Sequence, residues 1–163
     1  MKLYVLSLIL LAGMATLSCS KDKDDNNDSK ADFTAVVGDW KNFGSSDVNI
    51  FSITGRGIIV AVSDAKINSD ALNSGTLYLY VRYQNSTSTS YNLIPYNDSG
   101  LGSVSKSEFA NTGVVLSISK KPSEADEAKY SIRGIIIPAG KSIPSSINVQ
   151  NYTEVANFLK FTP

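Results

Sequence analysis

Cys19 is the one cysteine in this 163-residue chain, and the chain has no histidine. Those two counts bound the chemistry. Without histidine there is no Ser-His-Asp or Cys-His machinery and little to hold a transition metal. One cysteine forms no internal disulfide. Its position gives it another use. Residues 1–18, MKLYVLSLILLAGMATLS, place Lys2 before a run of apolar side chains, with small residues following at Gly13, Ala15, Thr16 and Ser18. That is the layout of a secretory signal peptide, and the run is shorter than the roughly 20 apolar residues of a membrane span. Cys19 follows a small residue, Ser18, where a lipoprotein signal peptide is cut; Thr16 and the displaced Leu17 leave the lipobox imperfect. A thiolate is the nucleophile that acyl transfer requires. Two or three acyl chains hold a protein firmly, where one holds it marginally. The expectation is a lipid anchor at Cys19.

The remaining candidates are carboxylates and aromatic rings. Asp39, Asp64, Asp70, Glu108, Glu124 and Glu154 could furnish a glycosidase pair if two of them faced each other across a cleft. Several sit in turn or capping contexts, so solvated carboxylates are the plainer reading and no catalytic residue is assigned. Asp22, Asp24, Asp25 and Asp28 lack the glycine and the distant glutamate of a calcium loop. No metal and no cofactor is expected. Tyr78, Tyr80 and Tyr83, within TLYLYVRY, are the candidate ligand-facing aromatics. Exposed rings on a sheet can stack on sugars or other flat ligands, and the competing reading is core and cross-strand packing.

The elements that would position these residues read as strands. Residues 19–31 hold the cysteine and a tail without a hydrophobic run, SKDKDDNNDSK, which cannot form a core and is expected to be a solvated tether. From residue 32 onward the apolar period is close to two. Phe33, Ala35 and Val37 alternate with their neighbours; Leu77, Leu79 and Val81 take one face and Tyr78, Tyr80 and Arg82 the other. RGIIVAVS, GVVLSI and YSIRGIIIP are short, β-branched runs bounded by turn residues. The segment 69–73 is expected to make one helical turn ended by Gly75 in the left-handed position, and KKPSEADEA a solvated loop. One true helix is predicted at the C-terminus, where Asn151 caps, Glu154 lies three residues on, and Val155, Phe158 and Leu159 share a face. About six to eight strands then imply an all-β fold: a single antiparallel sandwich, or a barrel-like closure, over residues 32–163.

Charge sharpens the class. The chain carries 15 basic and 15 acidic side chains, and cleavage after residue 18 removes only Lys2. Nothing resembles the basic stripe of a nucleic-acid binder, so no nucleic-acid partner is expected.

Three stretches, NSGTLYLYVR from Asn73, YNLIPY from Tyr91, and KYSIRGIIIPAG from Lys129 with NYTEV from Asn151, together resemble an uncharacterised β-rich domain of Bacteroidetes secreted and lipid-anchored proteins. In some members that domain follows collagen-like repeats, which are absent here. This chain departs from the pattern at Ile94, Gly134 and Thr153. The acidic residues after Cys19 likewise resemble, in part, the surface-export signals of such lipoproteins. The resemblance implies a fold and a location, an outer-membrane lipid anchor with the domain at the cell surface or facing the periplasm. It implies no reaction. The functional expectation is a non-catalytic binding or adhesion module for a protein or glycan ligand. The alternatives are an assembly accessory docking to another envelope protein and, last, a carboxylate-dependent glycoside hydrolase.

Overall fold

The computed structural model describes residues 30–53, 57–110 and 113–163. Two antiparallel sheets face each other. The first has β10 (Tyr130–Pro138) and β5 (Gly75–Gln84) at its centre, with β6 (Thr89–Leu93) on one edge. Its other edge is shared by β1 (Val36–Val37) and β2 (Lys41–Asn42), both paired to β10. The second sheet runs β3 (Val48–Ile53), β4 (Gly57–Ser63), β9 (Gly113–Ile118), β8 (Gly102–Ala110) and β7 (Tyr96–Asp98). The chain passes from one sheet to the other between β6 and β7, through a cis Ile94–Pro95 bond. The all-β sandwich with a short C-terminal helix is thus what the periodicity implied.

Strand parity builds the core. Leu79, Val81, Ile132 and Ile136 from the first sheet meet Val60, Val62, Val104, Val114, Leu116 and Ile118 from the second. Each such side chain contributes roughly 1.5–3 kcal/mol on burial. β10 is buried on both faces, because its outward residues Ile135 and Ile137 lie under a third layer. A strand covered on both sides needs a continuous apolar run rather than an alternating one, which is why Gly134 to Ile137 follow one another without a polar residue.

The third layer is α3 (Tyr152–Leu159), the predicted helix. Asn151 Oδ1 accepts from Glu154 N at 3.4 Å, and its amide donates to Glu154 Oε1 at 2.9 Å. Tyr152, Val155, Ala156 and Phe158 are buried.

Some details differ from the sequence reading. Ten strands occur among the described residues, where six to eight were expected; the N-terminal edge is split in two and β7 is a three-residue strand of its own. Between Val37 and Lys41, the Asp39 N–H donates to Asp64 Oδ2 at 2.9 Å instead of pairing with β10. Gly75 is not a left-handed terminator. Ser74 ends α1 (Ser69–Asn73), and Gly75 opens β5, where a Cβ would collide with the Ile137 carbonyl oxygen. KKPSEADEA is not all loop, since Glu124–Glu127 forms a single turn, α2.

Candidate functional site

The three candidate tyrosines do not form one platform. Tyr78 and Tyr80 point outward from β5 and lie under the third layer. Tyr80 is fully buried; its hydroxyl donates to the Val149 carbonyl at 2.8 Å and its ring meets Tyr152 edge-on at 4.9 Å. That corrects the ligand-facing expectation for Tyr80, because a sheet face covered by a helix offers no stacking surface. Tyr78 is half-buried in the same cluster. Tyr83 has the opposite parity and packs on Tyr130 at 5.0 Å. Cys19 lies outside the described residues.

The candidate carboxylates have structural partners. Asp64 is buried and accepts from Asp39 N and Lys66 N, each at 2.9 Å. Asp39 takes Lys66 Nζ at 2.7 Å, which holds its carboxyl below the usual range. Glu154 is tied to the α3 cap and to Asn148 N at 2.9 Å. Asp70 and Glu124 sit in the first turns of α1 and α2. The side chain of Glu108 lies outside the described set. Among the described residues no group of acidic side chains is arranged to hold a metal.

What the fold does assemble is a basin at one open end of the sandwich, about 420 Å³ in volume. Its lining comes from β5 (Tyr83), β6 (Ser90, Asn92), the end of β7 and the turn after it (Asp98, Ser99, Gly100) and the start of β10 (Tyr130). The turn is rigid. Asp98 Oδ1 accepts from Gly100 N at 2.7 Å and Leu101 N at 2.5 Å, and Oδ2 accepts from the Tyr96 hydroxyl at 3.1 Å. Gly100 is required there, since a Cβ would strike the Tyr130 hydroxyl. Burial, with Asp98 nearby, pushes the Tyr130 hydroxyl up to about 12, so it stays a donor at neutral pH. Within the described residues the Tyr83 and Tyr130 hydroxyls and the Asn92 amide make no hydrogen bond. Lys120 and Asp126 complete the rim, tied to Ser99 O at 3.0 Å and Lys129 Nζ at 2.6 Å. The half-buried Tyr83 ring, with the Tyr130 hydroxyl and Asn92 amide beside it, suits a polyhydroxylated ligand, and the volume falls within the usual 300–1,000 Å³ of ligand sites.

A second cluster lies on the outer face of the first sheet. Trp40 sits with the Arg82 and Arg133 guanidiniums each 4.7 Å from its ring centre, and with Tyr91 and Tyr152 stacked on each other at 4.5 Å beside it. Sequence reading placed Arg82 on this face but named neither arginine as functional.

Comparison of the chain with protein-family models, curated proteins and solved structures finds no match. The chemistry of these sites therefore rests on their geometry.

Proposed function

We propose that this protein is a lipid-anchored module of the outer membrane, carried at the cell surface, that binds a glycan in the basin at the end of its sandwich. The basin is the observation that carries the reading: Tyr83 at the rim, Tyr130 behind it, and the polar side chains of Asn92 and Ser90 in its lining. The resemblance to β-rich surface lipoprotein domains and the tether after Cys19 point the same way. A hydrolytic reading is weaker. A general acid needs its carboxyl raised toward neutrality, whereas Lys129 and Ser123 hold Asp126 below the carboxylate range.

The test is a glycan array probed with the detergent-solubilised full chain, followed by calorimetry on any hit. Tyr83→Ala is expected to weaken binding about tenfold, the equivalent of roughly 1.4 kcal/mol, without changing the melting temperature by more than a few degrees. Binding indifferent to Tyr83 would remove the basin from the reading.

One observation favours a docking accessory instead. Phe51 is 51 % exposed on the edge strand β3, on the outer face of the second sheet beside its register partner Ile59. An exposed apolar patch of this kind marks protein contacts. A blank array together with a Phe51-dependent envelope partner in a pull-down would favour that alternative.

A further inference from the structure

Among the described residues the Trp40 cluster brings two cations together without an ion-paired carboxylate. Arg82 and Arg133 occupy diagonal positions on the outer face, where register sets Arg82 opposite Ser131 and Arg133 opposite Tyr80. Each guanidinium carbon is 4.7 Å from the same indole ring centre, so the two lie within twice that distance of each other. That is about one Debye length at physiological salt, so their repulsion is only partly screened. Among the described residues neither has a carboxylate partner. Arg82 Nη2 donates to Ser131 Oγ at 3.2 Å, and Arg133 Nη1 donates to the Tyr152 hydroxyl at 2.6 Å and the Thr162 carbonyl at 3.3 Å. The nearest acid in sequence, Asp39, is committed to Lys66. Three donors in the cluster, Trp40 Nε1, Arg82 Nε and Arg133 Nε, are buried without a partner. The other two terminal nitrogens, Arg82 Nη1 and Arg133 Nη2, make no hydrogen bond within the described residues, and both arginines are only partly buried.

Among the described residues no carboxylate makes an ion pair with either fork; Asp39, bonded to Lys66, acts on Arg133 only at longer range. Cation–π contact with Trp40 holds the two forks in position but supplies no anionic partner. A guanidinium fork matches an oxyanion in geometry as well as charge. We propose that Arg82 and Arg133 together bind one oxyanion, a carboxylate or a phosphate monoester, on a ligand lying against the Trp40 side of the first sheet. This site is on the outer face of the sheet and does not depend on the basin.

Trp40 is the only tryptophan in the chain, so its fluorescence reports the site directly. The full chain in detergent would be titrated with sodium phosphate and, separately, sodium glucuronate, with chloride holding ionic strength constant and glucose as the neutral control. A saturable change in Trp40 emission is expected with at least one of the two anions and not with glucose. The anion that saturates identifies the source. Arg82→Gln should weaken that response at least tenfold, and Arg82→Lys should restore only part of it. Arg82 is the residue to vary, because Arg133 also ties the C-terminus. Should Arg82→Gln fail to fold, the wild type still decides: the effective anion should raise its melting temperature above chloride at equal ionic strength. No saturable response to either anion, or an equal response in a folded Arg82→Gln variant, would overturn the site.

Discussion

At the scale of single residues, Tyr80 shows how a candidate binding residue becomes a structural one. Its ring is enclosed by Tyr152, and its hydroxyl bonds the Val149 carbonyl in the segment leading into α3. Tyr80→Phe keeps the ring and removes the donor. The expected cost is about 1 kcal/mol, read as a fall of a few degrees in thermal melting, with any basin ligand bound as before. An unchanged melt would mean that the hydroxyl bond contributes nothing to holding that segment. The alternation in TLYLYVRY was legible in the sequence, and the structure keeps it. Which of the two faces would be covered was not, because the covering residue, Tyr152, lies far along the chain. The basin was hidden for the same reason. Asn92 and Tyr130 reach Tyr83 only through the pairing of β6 and β10 with β5, and register is a property of three strands at once.

Among the elements, α3 was the most legible, since its cap and its apolar face are both local signals. Alone, a helix of eight residues would be marginal in water. It is secured by burying Tyr152, Val155, Ala156 and Phe158 and by its two ends. At the first end Asn151 and Glu154 bond each other, and Glu154 also accepts from Asn148 N. At the second, Lys160 adopts the left-handed conformation at φ 61° and turns Phe161 back onto Tyr152. Asn151→Ala should therefore destabilise the domain by about 1 kcal/mol, and Asn151→Ser, which can still accept from Glu154 N and donate to its carboxylate, should recover most of it. Hydrogen exchange should show the loss of protection concentrated in α3. Loss spread evenly over both sheets would mean that the third layer unfolds only with the sandwich. By contrast α2 gave no signal, because EADE has no apolar face. It forms from local bonds: Asp126 N and Glu127 N donate to the Ser123 carbonyl at 2.8 and 2.9 Å.

For the whole molecule, the direction in which the chain enters decides what an anchor would present. Val36 and Val37 pair with Ile136 and Ile135, and Asp32 meets Lys141 at 3.0 Å. The N-terminal segment thus arrives at the Pro138 end of β10, while the basin opens at its Tyr130 end. The nine-residue strand separates the two by roughly 27 Å at 3.3–3.4 Å per step. A domain anchored through residues ahead of Ala31 would carry the basin on the side away from the anchor, where a ligand outside the cell meets it first. A surface role then requires that Cys19 be acylated, which makes the anchor the decisive experiment for the proposal at this scale. Cys19→Ala should abolish metabolic labelling by an acyl analogue and release the protein from the outer-membrane fraction. In wild-type cells, protease added outside should cut the protein at the tether while a periplasmic marker survives. Equal labelling of wild type and variant would remove the lipid anchor from the proposal. Labelling with full protection from external protease would keep the anchor and turn the basin toward the periplasm, with its ligand among the components of the envelope itself.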